Sequence, residues 1–254
     1  MPLMDEFKEE REALKHGTLK QKLSYFWDYY KWHTVAVITA ILVLVFAVRE
    51  IVTHKDVAFY ACFLNLTPYG YPLDETESIG AFAAYAGIDT GKHKVLFDTS
   101  IQIGMGTGTD SVSSQKLLAY VMAAEVDVMA SDLDSILDYA YQGDFSDLRD
   151  LLSEEQLTAY QDSFYYIDGS VLAEIKAARE SNDLAYSPVY PDPLQPGRMQ
   201  DPIPAGIVLG DDNPLAKDYY FYEKQGAVSV MINTARPELA LKFLDFAMQE
   251  TAPQ

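Results

Sequence analysis

An uncharged apolar run, Thr34 to Val48 (TVAVITAILVLVFAV), constrains this chain more than any other feature. With Trp32 and His33 it reaches 17 residues, the short end of what crosses a bilayer core as a helix. Lys31 and Arg49 stand at its ends, where their stems can lie along lipid while the charges reach water. Six rings precede it: Tyr25, Phe26, Trp27, Tyr29, Tyr30 and Trp32. Amphipathic rings favour the headgroup layer, so the cluster reads as an aromatic belt. Lys15, Lys20, Lys22 and Lys31 come before the run, against Arg49 and Lys55 just after it. That asymmetry predicts a cytoplasmic N-terminus and an outer C-terminal part.

The expectation is therefore a single-pass protein of the cell membrane. Residues 1–31 form a cytoplasmic amphipathic segment and belt, 32–52 a transmembrane helix, and 56–254 an extracytoplasmic domain. Asp5–His16 is helix-prone and stops at Gly17. Leu19, Leu23, Phe26 and Tyr30 then recur at helical spacing, predicting a helix that lies at the inner surface and turns into the span. A cleaved signal peptide is the alternative, since Val45-Phe46-Ala47 loosely resembles a cleavage site. More than thirty residues precede the apolar run, too many for a normal signal n-region, so retention is expected.

Charge separates the two parts. Residues 1–55 hold 8 Lys and Arg against 7 Asp and Glu; residues 56–254 hold 11 against 31, a net of −20. Such a domain repels nucleic-acid phosphates, and no nucleic-acid partner is expected. The acidity either keeps an exposed domain soluble or attracts cations, Ca²⁺ or a basic peptide. The single cysteine, Cys62, excludes an internal disulfide and falls in the apolar run Val57–Leu66, as a buried small hydrophobe does.

Past the span, strand and helix patterns alternate. Val57–Leu66 is a continuous apolar run typical of a strand covered on both faces. Ile79, Phe82, Ala83 and Ala86 mark one helix face within 74–86, closed by Gly87. Val95 to Ile103 alternates as a strand does, and a glycine-rich turn, Gly104–Asp110, leads to a helix near Ser111–Glu125. Val126–Ala130 reads as a short buried strand, and Asp132–Gln142 as a helix closed by Gly143. Ser153-Glu154-Glu155-Gln156 is a capping box. In Phe164–Glu180, Asp168-Gly169 suits a hairpin turn, but Val171, Ile175 and Ala178 favour a helix after it. Residues 188–204 hold six of the twelve prolines and read as an extended connection. Ala205–Leu209 and Gly226–Ile232 read as strands. A last helix carries Pro237 in its first turn, with Ala240, Phe243, Leu244 and Ala247 on its buried face. The pattern predicts an α/β domain with a mostly parallel sheet.

Chemistry-bearing motifs are sparse. The turn GMGTGTD has neither dinucleotide spacing nor a P-loop lysine. Asp132, Asp134 and Asp138 do not follow a calcium-loop pattern; Asp132 suits a helix N-cap, and Asp211-Asp212-Asn213 a solvated turn before Pro214. GxSxG and HExxH are both missing, and His93 is the only histidine well inside the outer domain. Neither an enzyme nor a cofactor is expected. Eighteen tyrosines, among them Tyr69, Tyr71, Tyr186, Tyr190, Tyr219, Tyr220 and Tyr222, suit recognition of sugars, peptides or amines, or plain core packing.

Two stretches carry a resemblance. In EVDVMASDLDSILDYAYQGDFSDLRDLL, residues 125–152, the positions Asp127, Gly143, Phe145, Asp147 and Leu148 are similar to a phrase of the type II extracytoplasmic solute-binding proteins of ABC importers. In GAVSVMINTARPELALKFLDFAM, residues 226–248, Asn233, Ala240, Lys242, Phe243 and Leu244 are similar to a second. The layout resembles uncharacterised transmembrane-anchored proteins of Gram-positive bacteria. The resemblance implies a periplasmic-binding-protein-like domain of one or two lobes, a small-molecule or peptide ligand, and an ABC transporter permease as partner. An interaction or sensor subunit that reuses the fold without solute capture is the alternative.

In open parallel sheets ligands gather beyond the carboxyl ends of the strands. Strands ending at Asn65, Ile103, Ala130 and Ile232 place Asn65, Thr67 and Tyr69, then Gly106, Thr107 and Asp110, then Ser131 and Asp132, then Asn233 around one expected cleft. Tyr69 would stack on a ligand, and Asp110 or Asp132 would meet a polar or cationic group. Plain capping by both aspartates and packing of the tyrosine is the alternative.

Overall fold

The computed structural model describes residues 18–68, 76–104, 110–183, 185–221 and 225–249. Two compact units divide the chain at His54 and Lys55. In the first, helix α1 (Leu19–Thr53) runs for 35 residues. Within it Lys31–Glu50 is a 20-residue stretch of mean hydropathy 2.0 with no part buried. Among the described residues this one helix is long and apolar enough to cross a membrane. The ring-bearing segment and the apolar run form one continuous helix. Trp27 and Trp32 are exposed on it. The helix expected over Asp5–His16 lies outside the described residues.

The second unit is built on a mixed six-stranded sheet. Its strands are β1 (Asp56–Phe63), β3 (His93–Asp98), β4 (Val128–Asp132), β5 (Phe164–Asp168), β6 (Pro202–Val208) and β8 (Gly226–Val230). They lie in the order β3-β1-β4-β8-β6-β5. A two-stranded ribbon pairs β2 (Thr67–Pro68) with β7 (Tyr219–Tyr220). Helices α2 (Thr76–Ala86), α3 (Asp110–Met122), α4 (Leu133–Ala140), α5 (Leu148–Leu151), α6 (Glu154–Tyr160), α7 (Gly169–Glu180) and α8 (Pro237–Ala247) connect and cover the strands.

β1 explains the layering. Phe59, Ala61 and Phe63 enter one core with Phe82 of α2, Phe97 of β3 and Phe243 of α8. Tyr60, Cys62 and Leu64 enter the other, with Leu117 of α3, Ile136 of α4 and Ile175 of α7. Alternate residues of one strand thus bury both faces, as its unbroken apolar run requires. The first core is dense in rings: Phe59 lies 4.6 Å from Phe82 and 5.2 Å from Phe243 between centroids. Gly87 and Gly143 end their helices at φ 75° and 86°, backbone that glycine adopts without strain.

Four expectations are corrected. The sheet is not mostly parallel: β3, β1 and β4 run parallel, but β8 is antiparallel to β4, β6 to β8, and β5 to β6. A strand's side-chain pattern reports burial and not direction, so the reversal leaves no local trace. β5 lies in the stretch where only a turn and a helix were expected. β6 starts at Pro202, inside the proline-rich connection. Its prolines are tolerated because β6 pairs with β8 only at Ile207 and Val208. Just past β8, Met231 instead pairs with Phe145. The strand expected over Val95–Ile103 stops at Asp98, and Ile101 and Ile103 bond to Asn65 instead.

Candidate functional site

The parallel strands fix one edge of the sheet at which β1, β3, β4 and β6 all end and β5 and β8 begin. Asn65 follows β1 at φ 57°, left-handed backbone that asparagine tolerates better than most residues. Its amide N–H donates to Ile101 O at 3.0 Å, and its Oδ1 accepts from Ile103 N at 2.7 Å. Ser131 Oγ donates to Leu64 O at 2.9 Å. Asp132 caps α4: Oδ1 accepts from Ser135 N at 3.1 Å and Oδ2 from Ser135 Oγ at 2.7 Å. These groups are nearly withdrawn from water and are hydrogen-bonded within the fold, as buried polar groups must be.

Five of the residues expected around a cleft share this edge: Asn65, Thr67, Asp110, Ser131 and Asp132. Thr67 is exposed and pairs with Tyr220. Asp110 begins α3, with Oδ1 buried and no hydrogen-bond partner among the described residues. Asn233 does not join them. The antiparallel course of β8 carries it to the opposite edge, where its Nδ2 donates to Val121 O. Tyr69, Gly106 and Thr107 lie outside the described residues.

Two adjoining cavities open at the same edge, over the end of β6 and the starts of β5 and β8. The larger, 480 Å³, is lined by Gln161, Asp162, Ser163, Tyr166, Gly210 and Gln225, among others. The smaller, 180 Å³, adds Asp211, Asn213 and Tyr220. Gln225 lines both, and its carbonyl accepts from Leu133 N at 2.8 Å. The capped turn at Asp132 therefore abuts the groove without lining it. The other tyrosines divide. Tyr219 is core, its ring 4.4 Å from Phe63. Tyr190 stacks on Tyr141 at 4.1 Å, and Tyr186 donates to Glu174. Tyr71 and Tyr222 lie outside the described residues.

A third cavity, 390 Å³, opens between β1, β3 and α3 and is lined by Tyr60, Asp98, Tyr120, Glu125 and Arg236, among others. Its polar network is not legible in the sequence, because the members are far apart in the chain. Asp98 Oδ2 accepts from Tyr60 OH at 2.6 Å and Lys116 Nζ at 2.8 Å, and Oδ1 from Ser100 N at 2.8 Å. Burial pushes this carboxyl up, but the bonds from Lys116, Ser100 and Tyr60 outweigh it and bring it down to about 2. Burial, with the Asp98 hydrogen bond and charge, pushes the Tyr60 phenol far up. Lys116 Nζ also lies 5.4 Å from the centre of the Tyr120 ring. The place beside carboxylate and ring that would suit a ligand's amine is thus filled by the chain's own lysine.

At the opposite edge Asp127, fully buried, holds three segments together. Its Oδ2 accepts from Tyr60 N at 2.9 Å, and its Oδ1 from Thr234 Oγ1 at 2.6 Å and Arg236 Nε at 2.9 Å. Every donor aimed at this carboxylate is structural, so the position acts as a clamp. Among the described residues no three His, Cys, Asp or Glu side chains gather as a metal site. Compared with protein-family models, curated proteins and solved structures, the chain matches none.

Proposed function

We propose that this chain is a membrane-anchored binding protein. Its α1 spans the cell membrane with the N-terminus inside, and its α/β unit takes a ligand at the carboxyl edge of the sheet. The groove of 480 Å³ with its 180 Å³ neighbour carries the reading. It lies where strand ends and loops diverge, the usual place for ligands in open α/β sheets. Its walls mix amide, carboxylate and hydroxyl groups with the rings of Tyr166 and Tyr220, which suits a small polar molecule or a short peptide. A solute-binding module of this kind, with a permease as downstream partner, accords with the likeness of residues 125–152 and 226–248 to solute-binding proteins.

A second reading, an interaction subunit without solute capture, draws support from the carboxyl-edge residues Asn65, Ser131 and Asp132, whose polar atoms are engaged inside the fold. One experiment separates the two. The purified full chain is screened by thermal shift against sugars, amino acids, short peptides and divalent metals. Ligand capture raises the midpoint, and Asp162→Ala and Gln225→Ala each reduce the rise. If no compound moves the midpoint, or if the groove variants leave the rise intact, solute capture at this groove is wrong.

A further inference from the structure

The end of α3 leaves part of the sheet uncovered. Its Tyr120 ring lies 5.6 Å from that of Tyr60. Past Met122 the chain reverses at Ala124, φ 54°, and Glu125 N–H donates back to Tyr120 O at 3.1 Å. β3 is the outermost strand, so no further strand closes this side. Val57 of β1 and Leu96 of β3 therefore stay partly open beside the helix end and form the 390 Å³ cavity with Tyr60, Tyr120 and Arg236. Its walls are mainly carbon. An apolar recess with a few convergent polar groups is what a small-molecule site requires.

We propose that this cavity is a second binding site, separate from the groove, for a neutral ring-bearing molecule about the size of a substituted phenol. Fixed charge selects against both ions. Asp98 already holds Lys116 at 2.8 Å, and Arg236 already holds Asp127 at 2.9 Å. A ligand cation would find its carboxylate taken and two cations beside it. A ligand anion would meet the exposed Glu125 at the rim, on a domain whose net charge is −20. Either would leave water without a free counter-charge, which is costly. A neutral apolar body has only its own surface to bury, which is favourable.

Size and polarity narrow the class further. A dry cavity of about 150 Å³ holds benzene, so 390 Å³ admits a ring with a short side chain. Arg236 donates one N–H from Nε to Asp127 and one from each of its other nitrogens to Val57 O and Glu125 O. A guanidinium has about five N–H groups in all, so donors remain for a hydroxyl or carbonyl at the end of that side chain. The inference rests neither on the groove nor on the membrane anchor.

The test titrates the purified full chain at neutral pH with three probes that share one phenol ring: tyrosol, tyramine and 4-hydroxyphenylacetate. Their side chains end in a hydroxyl, an ammonium and a carboxylate. Tyrosol should raise the thermal midpoint saturably. The two charged probes should need at least about ten-fold higher concentration for the same rise, a difference of about 1.4 kcal/mol. Leu96→Trp and Val57→Trp, each scored against its own midpoint without probe, fill the cavity and should abolish the rise. Val57→Trp is the milder change, since Val57 is 37% exposed. Gln225→Ala, in the groove, should leave the rise intact. The proposal is overturned if tyrosol gives no saturable rise, if either charged probe matches it, or if the rise survives the filled variants. A rise lost in Gln225→Ala would put tyrosol in the groove, which sinks this site and keeps the other.

Discussion

Arg236 Nε lies 2.9 Å from Asp127 Oδ1, and the other two nitrogens of the same guanidinium donate to Val57 O and Glu125 O at 2.6 Å each. One side chain ahead of α8 thus fastens the start of β1 and the approach to β4. Removing it leaves Asp127 buried without its counter-charge, which costs about 3 kcal/mol or more. Arg236→Ala should lower the chemical-denaturation midpoint of the purified chain accordingly. Asp127→Asn added to that variant should recover part of the loss, since no buried charge then remains. A midpoint unmoved by Arg236→Ala would remove the clamp from the account of stability.

The Asp98 network predicts an acid response. The carboxyl sits at about 2 in the fold, against an ordinary 3.8. A depressed acid adds stability that is fully present above its unfolded value and is lost as pH falls through its folded one. The contribution should therefore fade between about pH 4 and pH 2. Thermal midpoints of wild type and Asp98→Asn across that window should converge as pH falls. Parallel curves would mean that Asp98 is not held by Lys116, Ser100 and Tyr60.

Cys62 is fully buried, and burial pushes its thiol up. The thiolate is the reactive form, so a colorimetric thiol reagent should leave the native chain unmodified and label one thiol once denaturant unfolds it. Rapid labelling of native protein would show that the second core opens readily.

Orientation can be read with a membrane-impermeant thiol probe on intact cells. Lysines crowd the segment before the span. On that basis Asp211→Cys should label from outside and Glu12→Cys should not, Cys62 having been replaced. The reverse pattern would invert the topology.

Gly206 predicts a packing defect. A Cβ built there would meet the backbone carbonyl of Val228, along with Ser229 Oγ and the Tyr165 ring. A carbonyl in the sheet centre cannot swing aside as a side-chain tip can, so Gly206→Ala should cost about 1–3 kcal/mol. An unchanged denaturation midpoint would refute this close approach.

Much of the local structure was legible because it rests on short-range chemistry. Ala240, Phe243, Leu244 and Ala247 announce the buried face of α8, and all four are buried. Ser153 and Gln156 exchange the capping-box bonds that their spacing promises. Asp132 caps α4 as its position before an apolar run suggests. What failed was longer in range. Nothing near Gly226–Val230 encodes the direction in which that strand enters, so Asn233 could not be assigned to the correct edge. Pro202 and Pro204 hid the start of β6, since a proline argues against a strand unless one side is known to lack a partner. The bond between Asp98 and Lys116 joins a strand to a helix across a turn, and only the fold aligns them. The groove was legible only as a region, because Gln161, Asp162 and Gln225 meet from separate segments.

The place of β8 bears on how the domain is made. It is the last strand among the described residues, yet it lies between β4 and β6 in the middle of the sheet. A chain emerging N-terminus first can assemble β3, β1 and β4 as one patch, and β5 with β6 as another. Each patch keeps an unpaired edge until residues 226–230 arrive to join them. Open edges recruit other chains as readily as their own missing strand. The interval before that arrival is therefore when nascent molecules are most prone to aggregate and most dependent on whatever chaperone meets them.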